Sequence, residues 1–140
     1  MTDSTMTETA GAVTGGVRLL LRLEGLGLFV LALMLYGNSH LSWLAFAVFF
    51  LTPDLSFLGY LAGPRIGALI YNAAHDTFLP IMLVVGGYFL AANYIVLATA
   101  LIWLAHIGFD RALGYGLKYQ TGFSFTHLGR IGKASQPSAS

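Results

Sequence analysis

His106 and Asp110 stand four residues apart in an otherwise apolar run, and Asn72 precedes His75 and Asp76 by three and four residues. Residues at those spacings share one face of a helix, so each group can act together. Asp54, directly after Pro53, and Glu24 add two further carboxylates to segments that carry almost no other charge. Neutral imidazoles and carboxylates are the ligands of zinc, iron, manganese or magnesium. We therefore expect Asp54, His75, His106 and Asp110 to hold a divalent metal, with zinc, iron or manganese foremost. Glu24 or Asp76 is then the neighbouring general base, and a metal-activated water would make the site hydrolytic.

These residues must be positioned by elements of unusual composition. Hydrophobic residues make up 56% of the 140, and charged residues only 9%, against about 25% in an ordinary soluble domain. A water-exposed surface cannot be built from that supply. The net charge of +1 and the scattered basic residues leave no patch for a nucleic-acid partner. The absence of cysteine excludes disulfides and thiolate metal sites.

Four apolar segments, approximately 19–36, 41–62, 66–90 and 94–115, are divided by turn-forming breaks at Gly37-Asn38-Ser39, Gly63-Pro64-Arg65 and Ala91-Ala92-Asn93. Each is close to the ~20 residues that cross a hydrocarbon core of ~30 Å. The expected fold is an all-α bundle of four transmembrane helices over residues 18–133, with 1–17 and 134–140 as disordered polar tails. The basic residues Arg18, Arg22, Arg65, Arg111, Lys118, Arg130 and Lys133 all fall at one set of ends. The positive-inside rule therefore places both termini and the Arg65 turn in the cytoplasm, with the chain a multi-pass inner-membrane protein.

That orientation puts the ionisable residues in the cytoplasmic half. Counting inward from Arg18, Arg65 and Lys118 at ~1.5 Å per residue gives depths of about 9 Å for Glu24, 16 Å for Asp54, 15 Å for His75, 18 Å for His106 and 12 Å for Asp110. A lipid-facing charge costs about 2.5–3.5 kcal/mol, so these side chains are expected to face the bundle interior. Clustered there, they require protonation, an arginine or a metal among them. Pro53 removes a backbone hydrogen bond beside Asp54 and should kink that helix. Gly59, Gly63 and Gly67 have the spacing of a close helix contact, but Pro64 makes a turn the expected use. The stretch Gly116 to Lys133 is too short and too basic to span; it should lie along the cytoplasmic interface beneath the cluster, with His127 a further candidate ligand.

The stretches LLRLEG (Leu20 to Gly25), PDLSFLGYLAGPRIGA (Pro53 to Ala68), YNAAH (Tyr71 to His75) and WLAHIGFDRALGYGLKY (Trp103 to Tyr119), followed by THLGRIG, resemble the bacterial domain of unknown function 4260 family over about Leu19 to Gly132. That resemblance implies a membrane domain and supplies no activity. Pro53-Asp54, His75 and His106 are also similar in kind to the metal site of membrane-bound metal-dependent hydrolases, whose His-Arg and Thr-His-Ser signatures are absent here. Three functions follow as alternatives: a hydrolase of a lipid-borne substrate, a subunit that binds or moves protons or cations, and a structural assembly protein. A transporter needs a polar path outward, and the outer halves carry only His40.

Overall fold

The computed structural model describes residues 11–91 and 93–132. Helix α1 runs Gly15–Asn38, and α2 runs Trp43–Phe49 and continues as a 3-10 helix over Thr52–Ala62. Helix α3 runs Pro64–His75, and α4 runs Phe78–Gly86 and widens into a π-helical turn at Gly87–Ala91. Helix α5 runs Tyr94–Leu113. Together they form four stretches long and apolar enough to cross a membrane: Gly15–Asn38, Trp43–Ala62, Pro64–Leu90 and Tyr94–Leu113.

The starts and stops have local causes. Ser42 accepts from the Ala45 amide and Asn93 from those of Ile95 and Val96, so both side chains satisfy amides that a helix start leaves bare. At the other end of α5, Gly114 adopts the left-handed conformation and closes the helix. Proline sets the two interruptions. Pro53 has no amide to offer the Phe49 carbonyl, and α2 ends at Phe49. Pro80 stands in the same relation to Asp76, and α3 ends at His75. The kink at Pro53 agrees with the sequence expectation; the third stretch was expected to be continuous over 66–90, and its break at Asp76 is a departure with this cause.

Helix α5 is the centre of the bundle, buried almost continuously from Ala100 to Gly108. It crosses α1 at glycines. A Cβ on Gly108 would lie 2.6 Å from the Phe29 amide nitrogen and 2.8 Å from the Gly25 carbonyl, so the two backbones touch there. Ala32, Leu104 and Ala105 continue the contact, and Tyr36, Leu101 and Ile102 extend it toward the far end. The second stretch is held differently: it packs mainly on α3, where Gly67 leaves room for the Tyr60 ring, and its most apolar window has no buried residue.

Beyond α5 the chain folds into a small cap. Strands β1 (Phe125–Thr126) and β2 (Gly129–Arg130) form an antiparallel hairpin, and Lys118 bridges to Thr126. Residues 11–14 dock on this cap, with Tyr119 Oη donating to Gly11 O and the Val13 amide to His127 O. The described part of the 1–17 stretch is thus ordered, and α1 begins inside it; residues 1–10 and 133–140, which include the rest of the expected tails, lie outside the described residues.

Candidate metal centre

Both helix interruptions lie at the residues with metal-ligating chemistry. Asp54 enters at the start of the 3-10 stretch, where its amide reaches back to Leu51 O at 3.1 Å. His75 is the last residue of α3, and the break leaves nearby carbonyls without helical partners. Side chains of α5 supply them: Trp103 Nε1 donates to Ala74 O (2.6 Å) and Arg111 Nη2 to His75 O (3.0 Å). Helix α5 also presents His106 and Asp110, one turn apart.

Four atoms converge between these elements. His75 Nε2 and His106 Nε2 are 3.2 Å apart. Asp54 Oδ1 lies 3.6 Å from His75 Nε2 and 3.4 Å from His106 Nε2, and Asp110 Oδ2 lies 3.5 Å from each. Five of the six separations are thus 3.2–3.6 Å, and all four atoms lie within 4.8 Å of one another; a regular tetrahedron with edges of ~3.5 Å has its centre about 2.1 Å from each corner, the length of zinc bonds to imidazole and carboxylate. Both histidines are buried, each 1% exposed.

Proton placement makes a cation the economical occupant. The Tyr71 carbonyl accepts from His75 Nδ1 at 3.0 Å, and the Tyr71 ring stacks on the imidazole at 3.8 Å. That bond holds the proton of a neutral His75 on Nδ1 and turns the bare Nε2 toward the other three atoms. Carboxylate oxygens accept, so the four converging atoms bring together more acceptors than donors. A dication with two neutral imidazoles and two carboxylates leaves no net charge in a poorly solvated place. The other nitrogen of His106 is also buried; the Phe50 backbone is beside it but stops short of full hydrogen-bond geometry.

The remaining candidates stand apart. Glu24 is exposed on α1, next to the buried Gly25 at the helix crossing. Asp76 accepts from the Leu79 amide at 3.1 Å and so caps α4. His127 Nδ1 accepts from the Leu117 amide at 2.9 Å, which commits it to the cap. Neither Arg22 nor Arg111 closes the cluster: Arg22 Nε donates to Ala112 O, and Arg111 to the carbonyls of His75 and Tyr115.

Residues 18–131 match the family model described as Domain of unknown function (DUF4260). The chain belongs to the DUF4260 family. No curated protein and no solved structure matches it. All four converging residues lie within the DUF4260 segment, as does most of the cap.

That cap contains a feature missed in the sequence. The Asn72 side chain pairs with the Lys118 backbone at both ends, donating to Lys118 O (2.8 Å) and accepting from its amide (2.7 Å). Lys118 is 4% exposed; its Nζ donates to Phe123 O (2.9 Å) and sits 3.7 Å from the Phe123 ring centre and 4.8 Å from that of Tyr71. Burial pushes the Lys118 ammonium down to about 8, with Asp110 acting in the opposite direction. Burial, and then the Arg111 charge, also lower His127. Only the position of Asn72, one turn before His75, hinted at this clamp.

Proposed function

We propose that the protein is an integral membrane protein that binds one divalent cation, with zinc the best match, through Asp54, His75, His106 and Asp110, and uses it for hydrolysis. The convergence of four ligand atoms within 4.8 Å of one another, five of their six separations being 3.2–3.6 Å, carries this reading. His75, His106 and Asp110 stand on well-packed helices, whereas Asp54 stands on the loosely held second stretch with its side chain 35% exposed. Catalytic zinc sites keep three protein ligands and one position for water. Asp54 is thus the ligand that leaves to open that position and the carboxylate that takes the proton of the incoming water. A cation held there lowers the pKa of bound water to about 7.

Elemental analysis of protein purified without chelator tests the reading. One equivalent of zinc, iron or manganese is expected, and His75→Ala or His106→Ala should remove it while the helices stay inserted. Native protein that is folded and metal-free would overturn the proposal. A closed four-ligand site serving only stability is the second reading, favoured by the presence of four converging protein ligand atoms. Its mark would be a bound cobalt spectrum that stays four-coordinate and unaltered by added anions.

The one-sided basic residues support a topology with both termini cytoplasmic. Reporter fusions at Asn38 and Asn93 should read as periplasmic, and fusions at Gly63 and Ser140 as cytoplasmic. A cytoplasmic reading at either asparagine would overturn the topology.

A further inference from the structure

Arg18 and Arg22 stand one turn apart on α1, both half-buried, and reach the same corner of the cap. A Cβ on Gly114, the residue that closes α5, would lie 3.6 Å from Arg18 Nη2 and 3.7 Å from Arg22 Nε, so the two side chains are neighbours. A Cβ on Gly129, in the hairpin, would lie 3.4 Å from Arg18 Cζ and 3.5 Å from both of its Nη atoms. With Cζ the nearest of the three, the guanidinium lies face-on over the glycine. Arg18 is thus held between the end of α5 and β2 by uncharged backbone.

The charge in this corner is not balanced. All four carboxylates among the described residues are used elsewhere: Asp54 and Asp110 in the metal cluster, Asp76 on the Leu79 amide, and Glu24 two residues after Arg22, about 200° round α1. Among the described residues, no ion pair joins either arginine to a carboxylate. Arg22 Nε donates to Ala112 O at 2.9 Å, which leaves its Nη hydrogens uncommitted, and Arg18 Nε is buried with no hydrogen-bond partner. The C-terminus of α5 offers about half a negative charge against the two guanidiniums. More than one positive charge remains.

An oxyanion with several acceptors fits that excess, because the planar fork of arginine matches phosphate oxygens two at a time. The place indicates its source. Arg18 lies in the first turn of a membrane-length stretch, at the end where the basic residues gather. The neighbouring strip of α1, Leu19, Leu23 and Leu26, is exposed. A phosphate on the arginines therefore leaves attached hydrocarbon chains free to run along these leucines.

We propose that Arg18 and Arg22 bind the phosphate of an acidic phospholipid of the cytoplasmic leaflet, in the corner between α1, the end of α5 and the hairpin. Basic pockets at helix ends on that side of a membrane are suited to such headgroups. The phosphate site stands on the arginine geometry alone; its lipid source rests on the membrane reading above.

Full-length protein in a non-ionic detergent, mixed with phosphatidylglycerol or with phosphatidylcholine of the same chains, tests the site by native mass spectrometry of the retained lipid. One phosphatidylglycerol per chain is expected, bound at least about tenfold more tightly than phosphatidylcholine, and Arg18→Gln or Arg22→Gln should each remove most of that preference. Arg65→Gln, at an exposed position of the same end, should keep it. The Arg18 side chain makes no hydrogen bond among the described residues that the fold would lose, so Arg18→Gln decides the matter even if Arg22→Gln, which disturbs the tie to Ala112, fails to fold. No preference in the native protein, or one that Arg18→Gln leaves unchanged, would overturn the site. Displacement of phosphatidylglycerol by an equal concentration of inorganic phosphate would overturn the lipid source and uphold the phosphate site. Because a micelle has no sides, the binding result stands whether or not the reporter fusions uphold the topology.

Discussion

The two sides of the metal centre are built to different standards. On one side α5 meets α1 backbone to backbone at Gly108 and Gly25, and it fastens the end of α3 through Trp103 and Arg111. On the other, the second stretch meets α5 through Phe46 and Phe50, leaves a cavity beyond them, and offers Asp54 from a 3-10 helix with poorer hydrogen-bond geometry than an α-helix. Three of the converging residues thus stand on a closely packed frame and the fourth, Asp54, on an arm that borders a cavity.

The strongest way to break this contrast is to attack the frame. Gly108→Leu places side-chain atoms where the Phe29 backbone lies, and overpacking of this kind costs about 1–3 kcal/mol or more. Folded protein recovered from detergent should fall sharply, and the metal with it. Leu61→Phe, at an exposed position of the second stretch, should change neither yield nor metal content.

A finer comparison sets the two carboxylates against each other. Asp110→Asn removes a frame ligand and Asp54→Asn the arm ligand. In competition with a chelator, Asp110→Asn should weaken metal binding by at least about tenfold more, or ~1.4 kcal/mol. Equal losses would mean that Asp54 is held as firmly as the others.

The smallest effect concerns the cap. Folding lowers Lys118 to about 8, against ~10.4 for an unperturbed lysine. Between those values the unfolded chain holds a proton that the folded cap has released, so the cap gains stability as pH rises. His127 is lowered from its ordinary ~6.5. By the same rule the cap loses stability as pH falls below that value. Hydrogen exchange at Phe125–Arg130, corrected for the intrinsic rate, should slow from pH 8 to 10, and Lys118→Met should abolish that upper dependence.

Much of this architecture was legible because apolar length and turn residues are one-dimensional signals. The four stretches begin and end within a few residues of where hydropathy and the Gly, Pro and Asn breaks put them. Asp54, His75, His106 and Asp110 were found by depth and helix spacing together. Glu24 was misjudged because depth says nothing about direction around the helix: the buried stripe of α1 runs through Gly25, Ala32 and Tyr36, and Glu24 points about 100° away from Gly25. The break at Asp76 had a signal in Pro80, four residues on, but continuous apolarity masked it. The Asn72 clamp joins residues 46 apart, a pairing that no local pattern encodes.

The interrupted third stretch also constrains how the protein is made. The carbonyls of Ala74 and His75 find their donors 29 and 36 residues later, on a helix synthesised last. Until α5 emerges, this stretch carries bare carbonyls that hydrocarbon cannot satisfy, at several kcal/mol each. A stretch that crosses a membrane, as its length and apolarity allow, would therefore enter it together with the helix that completes it. His106 and Asp110 stand on that same helix, so the four-residue cluster is complete only when α5 docks.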